Sequence, residues 1–167
     1  AYSVAPKSRK TVFVADEVGP EQDVSTSLSS NLPIAAERPM YFNYRGGWDG
    51  GSDSFGSTTQ QSVYYFAEGC TRAGFETWLC VQNPNHAPVT LRVKLYKETG
   101  EVQALPDIPV PARTRITIDL NLAAGPEHDI SLSAECAEGL PIVAERPMYF
   151  AYGGQWAGGH CVMGKGR

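Results

Sequence analysis

Leu32-Pro-Ile-Ala-Ala-Glu-Arg-Pro-Met-Tyr-Phe-Asn-Tyr44 returns as Leu140-Pro-Ile-Val-Ala-Glu-Arg-Pro-Met-Tyr-Phe-Ala-Tyr152, identical at 11 of 13 positions. A spacing of 108 residues is too long for a solenoid unit and suits one β-sandwich domain. Upstream of the signature, Val4 to Val14 matches Val110 to Leu120 at an offset of 106, including Arg9/Arg115 and Thr11/Thr117. Gly19-Pro20-Glu21 answers Gly125-Pro126-Glu127, and Asp23-Val24-Ser25 answers Asp129-Ile130-Ser131. A two-residue insertion near Cys136 shifts the offset to 108, and the match then runs through Trp48/Trp156 and Gly50-Gly51/Gly158-Gly159.

Residues 62–107 have no upstream counterpart. The chain therefore divides into residues 1–56, the rear half of a β-sandwich repeat, a linker at 57–61, and a complete repeat at 62–167. A half sandwich exposes an apolar face and unpaired strand edges. The expectation is that missing sequence or another chain completes it.

The strand signal has a period of two. Leu91, Val93 and Leu95 alternate with Arg92, Lys94 and Tyr96; Ile116, Ile118, Leu120 and Leu122 alternate with polar residues; Ile130, Leu132 and Ala134 alternate with Ser131, Ser133 and Glu135. One apolar and one wet face mark antiparallel sheets with a single buried side. Turn residues punctuate the runs at Asn83-Pro84-Asn85, Glu98-Thr99-Gly100-Glu101 and prolines 106, 109 and 111. The complete repeat reads as strands at 63–68, 77–82, 90–97, 102–110, 114–121, 129–135 and 141–151, an all-β, antiparallel sandwich of the Ig-like or jelly-roll-like kind. Pro147 removes a ladder hydrogen bond, which predicts an edge or a bulge there.

Hydrophobic residues make up 42% and charged residues 19%, enough apolar content for a core. With a net charge of −4 and no basic stripe, nucleic-acid binding is not expected. No apolar run approaches the roughly 18–20 residues of a membrane span, so no membrane insertion is expected. No signal peptide is visible, which leaves the compartment open for a mature or excised fragment.

Four cysteines are present. Cys136 and Cys161 occur in one copy and are absent together from the other, and Cys70 and Cys80 flank a short glycine-containing connection. Both pairs are disulfide candidates, although three connectivities are possible. An even count in a β-rich chain fits an oxidising, extracellular setting. A zinc site is the competing use of the thiols, without a CxxC spacing to support it.

Tyr65-Phe-Ala-Glu-Gly69, Thr77-Trp-Leu-Cys-Val-Gln-Asn-Pro84, Val110-Pro-Ala-Arg113 and Glu145-Arg-Pro-Met-Tyr-Phe150 together resemble a tandem repeat of secreted and surface proteins of actinobacterial and related bacteria. The resemblance implies an extracellular location and repetition, and supplies no established chemistry. Ala67-Glu-Gly69, Val81-Gln-Asn83, Val110-Pro-Ala-Arg113 and Leu140-Pro-Ile-Val143 are also similar to the soluble transducers of bacterial sensory rhodopsins, which implies an oligomeric β-sandwich. That similarity fades at the ERPMYF element, so it implies no signalling role.

The segment Tyr44-Arg-Gly-Gly-Trp48 and its counterpart ending at Trp156 offer aromatic rings on loops. Such rings can stack on a sugar face, or plug the end of a sandwich or the joint between repeats. Glu37-Arg38 and Glu145-Arg146 are adjacent, so on a strand each pair points to opposite faces and meets partners elsewhere. Glu68, Glu76, Asp107 and Asp119 are scattered, with no pair marked for glycosidase chemistry. His86, His128 and His160 form no nucleophile–base constellation. Asp49 and Asp53 are possible calcium ligands whose counterparts, Ala157 and Cys161, are not. The expected function is that of a non-enzymatic extracellular structural repeat in a filament, stalk or layer, without cofactor or metal. Its partners would be copies of itself or adjacent repeats, joined through Arg38, Tyr41, Trp48, Arg146, Tyr149 and Trp156. The alternative is a carbohydrate-binding module for surface glycans, using the two loop tryptophans.

Overall fold

Alternation along each strand sets the architecture, because every second side chain must leave water together. The computed structural model describes residues 1–167. In chain order its elements are α1 (Val14–Val18), β1 (Glu37–Tyr44), β2 (Trp48–Phe55), β3 (Val63–Phe66), β4 (Phe75–Gln82), β5 (Val89–Lys97), β6 (Val102–Ala104), β7 (Ile108–Val110), β8 (Arg115–Asp119), α2 (Leu120–Ala124), β9 (Ile130–Cys136), β10 (Val143–Tyr152), β11 (Trp156–Met163) and β12 (Lys165–Gly166). One sheet has the order β11-β10-β4-β8. The other runs β12-β3-β9-β5-β6, with β7 also on β5, and β1 pairs β2 as a separate hairpin. All pairings are antiparallel. Leu79 and Val81 from one sheet meet Tyr64, Phe66, Leu91, Val93, Leu95 and Leu132 from the other in a single core. The fold is an all-β sandwich.

Four local expectations change. The run 102–110 is two strands on the same edge of β5, interrupted at 105–107 beside Pro106. The run 114–121 ends at Asp119, whose carboxylate accepts from the Leu122 N–H at 3.0 Å and starts α2. Leu120 and Ala124 then enter the core at i, i+4 spacing, while Leu122 faces solvent. The Gly/Trp segment is the strand β11 rather than a loop, paired with β10 from Glu145↔Met163 to Tyr152↔Trp156. Pro147 lies in an interior strand without a bulge. The β10–β4 ladder lapses at Arg146 and Pro147 and resumes in the same register, from Glu145↔Cys80 to Met148↔Thr77.

The four cysteines are free thiols, which corrects the disulfide expectation. Cys136 faces the core from β9, whereas Cys161 lies opposite Pro147 on the outer face of the other sheet. A sheet separates them. Cys70 is held at Thr77, whose hydroxyl accepts from the Cys70 N–H at 3.0 Å and donates to its carbonyl at 2.7 Å. Cys80 lies three residues further along β4, roughly 10 Å away and on the opposite face. Neither pair meets the geometry of a disulfide.

The first 56 residues keep the local geometry of the downstream copy but not its strands. Lys7 and Arg113 share φ 55, Gly19 and Gly125 have φ 87 and 84, and Glu21 and Glu127 have 57 and 65. The helix α1 falls where α2 does, and β1–β2 repeats the β10–β11 register pair for pair. Residues 2–4, 9–13 and 24–30, the counterparts of β7, β8 and β9, contain no strand. A helical turn and a hairpin satisfy their own backbone groups, whereas β7, β8 and β9 need β3, β4 and β5. Those partners occur once in the chain.

Candidate functional site: a hairpin stacked on a hairpin

The two signature strands present opposite faces to each other. In β1, Arg38, Met40, Phe42 and Tyr44 are half-buried while Glu37, Pro39, Tyr41 and Asn43 are exposed. In β10 the same alternation turns Arg146 and Met148 into the sandwich and leaves Glu145 and Tyr149 on its outer face. The Arg/Met/Phe/Tyr side of the first signature packs on the Glu/Pro/Tyr side of the second.

An ion pair and an aromatic cluster hold this contact. Arg38 donates from Nη1 to Glu145 Oε1 at 3.1 Å and from Nη2 to Oε2 at 2.7 Å, a bidentate fork. The Cys161 thiol donates to the same Oε2 at 2.8 Å. Tyr149 stacks on Tyr44 at 4.2 Å and meets the edge of Phe42 at 4.9 Å. At the tip, Tyr44 Oη donates to Glu76 Oε2 at 2.6 Å and Arg45 Nη2 lies 2.6 Å from Oε1. Glycines permit the approach: a Cβ on Gly50 would lie 3.2 Å from Gly158 Cα, and one on Gly159 would lie 2.8 Å from Phe42 Cζ.

The electrostatics follow from this packing. Burial opposes ionisation of Glu145, but the hydrogen bonds from Arg38 and Cys161 outweigh it and hold the carboxyl below the usual range. Burial, then the neighbouring Glu145 carboxylate, push the Cys161 thiol up to about 12. A thiol kept protonated and bonded to a carboxylate is a poor nucleophile at neutral pH. Burial also pushes the Tyr149 phenol up to about 12.

The six sequence candidates therefore separate. Arg38 and Tyr149 meet in the joint. Trp48 is half-buried, 5.8 Å from Tyr44. Tyr41 is 86% exposed on the free side of β1. Arg146 is 1% exposed inside the sandwich, with Nη2 3.0 Å from His160 Nε2 and 3.6 Å from Glu68 Oε2, and burial lowers its pKa. Trp156 is 69% exposed beside Tyr152 at the hairpin tip. Sequence reasoning missed Phe42, Tyr44 and Glu76 as joint residues, and expected a partner for Glu145 without naming Arg38. The signal was available in part, since Phe42↔Gly50 and Phe150↔Gly158 are cross-strand pairs in which the ring covers a glycine. No three His, Cys, Asp or Glu side chains are grouped to share a metal ion; Asp49 is hydrogen-bonded by Asn43 on the exposed face of β2. No helix is long and apolar enough to cross a membrane.

No family model matches the chain, and no curated protein matches it in sequence. Among solved structures, the crystal structure of Thermotoga maritima 1070 is similar with a TM-score of 0.58 at 14% identity, covering 66% of this chain and 97% of that one. The likeness is one of fold: an antiparallel β-sandwich. The Anabaena sensory rhodopsin transducer is a weaker neighbour, with a TM-score of 0.45 at 17% identity over 55% of this chain and 91% of that one. The likeness to actinobacterial-type repeats rests on the sequence motifs alone.

Proposed function

We propose that this chain is a non-enzymatic structural repeat of an extracellular bacterial surface assembly, and that its units bind one another through sheet and hairpin packing. The observation that carries this is the covered outer face of β10. A signature hairpin lies there with Arg38 in bidentate contact with Glu145 and two aromatic rings against Tyr149. The same outer face on β1, with Glu37 and Tyr41, is open. A heterologous contact of this kind, in which different faces meet, closes into a ring or extends into an open filament according to its rotation. The ERPMYF resemblance to tandem surface repeats adds to the reading. Electron microscopy and intact mass of the native material test it: filaments, layers or a much longer polypeptide are expected. A monodisperse 18.1 kDa monomer whose first 36 residues are as protected as the sandwich refutes it.

Exposed aromatics favour one second reading. Trp156 and Tyr152, at 69% and 63% exposure, stand together at the tip of β10–β11, where a sugar ring could stack. Glycan affinity lost on Trp156→Ala, with the fold intact, would select carbohydrate binding instead.

A further inference from the structure

Residues 1–36 expose apolar side chains that the rest of the molecule leaves uncovered. Val4, Val24 and Leu28 are exposed, although nothing in their sequence asks for water. Their counterparts Val110, Ile130 and Ala134 are buried in the core. The complete repeat also shows what covers such positions. Val110 pairs with Val89, Ile130 with Lys97, and Ala134 lies between Tyr64 and Val93. All of these partners belong to residues 62–107.

We infer that residues 1–36 are the acceptor for a front-half segment of the residue 62–107 type: antiparallel strands with one alternating apolar face. This rests on the repeat reading above and names the partner that it requires. The backbone is already set for such a partner. The turns at Lys7, Gly19 and Glu21 have the φ values of Arg113, Gly125 and Glu127, and α1 is folded, so docking needs the extended segments to pair rather than the arm to refold. A second copy of residues 1–167 offers no spare segment, because those residues hold two rear halves and one front half. The donor is an unmatched front half, in the same polypeptide or in another.

The test restores the repeat frame in the whole chain. Residues 57–106 are duplicated ahead of Ala1, which places Ala1 at the position of Asp107. Hydrogen exchange of residues 2–4, 9–13 and 24–30 should slow by about 100-fold or more against the parent chain, while residues 62–163 stay protected as an internal control. Unchanged exchange in the arm with an intact second repeat overturns the inference. So does concentration-dependent protection of the arm in the parent chain alone, since a second copy would then suffice. If the extended chain precipitates, the hybrid of residues 57–106 joined to residues 1–56 decides: cooperative unfolding supports the acceptor, and a disordered product overturns it. None of these readouts depends on whether the native material is polymeric.

Discussion

Replacing Arg38 with Ala should open the joint without touching the sandwich core. The side chain donates two charge-assisted hydrogen bonds, at 2.7 and 3.1 Å, to Glu145. A hydrogen bond to a charged group contributes about 1.5–3 kcal/mol when desolvated. The Arg38 side chain is 42% exposed, so screening reduces the pair to about 1–2 kcal/mol in total. That corresponds to a factor of about 5–30 in the docking equilibrium of the β1–β2 hairpin. Cys161 reads this equilibrium directly. With its pKa pushed up to about 12 by burial and Glu145, the covered thiol has almost no thiolate at pH 8, and alkylation proceeds through the undocked state. Once undocked, the thiol is free of Arg38 in both proteins, so the ratio of labelling rates reports docking and not intrinsic reactivity. The assay is maleimide labelling resolved by site with mass spectrometry, and Cys136, buried in the core, monitors global unfolding. Cys161 should label about 5–30 times faster in Arg38→Ala with Cys136 unchanged. Equal rates for Cys161 would refute the clasp, as would a parent chain whose Cys161 labels as fast as a fully exposed thiol.

Tyr149→Ala removes both rings' contacts at 4.2 and 4.9 Å and should destabilise the joint by about 2 kcal/mol. Its sequence counterpart Tyr41→Ala should change chain stability by less than about 0.5 kcal/mol, because Tyr41 touches solvent; urea titrations with the two variants side by side check the contrast. Glu145 has a folded pKa below its unfolded value, so its contribution is fully present above about pH 4.3 and is lost as pH falls through the depressed value. Acid titration of docking should show this loss, and Glu145→Gln should flatten it. Asn83 is wholly buried and donates to the carbonyls of Ala87, Val110 and Pro111 while accepting from Asn85. Asn83→Ala strands those carbonyls and should cost about 3 kcal/mol, seen as a lower thermal midpoint of the sandwich.

Two strands and their core faces are legible in the residue pattern alone. The alternation at Leu91-Val93-Leu95 and at Ile130-Leu132-Ala134 places them, because period two admits one buried side. The turn residues bound them. The short helix α2 is hidden, since Leu120 and Leu122 continue an alternating pattern; the Asp119 cap favours it, yet α1 forms at the matching place after Phe13 without a side-chain cap. The disulfide candidates fail for a related reason. Proximity in sequence and co-occurrence in one copy say nothing about which side of a sheet a thiol faces, and Cys136 and Cys161 lie on opposite sides of one. The joint is half legible. Adjacent Glu and Arg have to point apart, but that Arg38 meets Glu145 rather than Glu37 of another unit needs the fold.

By itself, the sequence determined the local conformations of this protein twice over: the turns, the short helix and the signature hairpin appear in both copies because each satisfies its own backbone. Tertiary structure decided which of the other matching stretches became strands. Residues 24–30 and 130–136 carry matching patterns, yet only the second forms a strand, because β3 and β5 lie on either side of it. A strand is completed by its neighbours, and within residues 1–167 none lies beside residues 24–30.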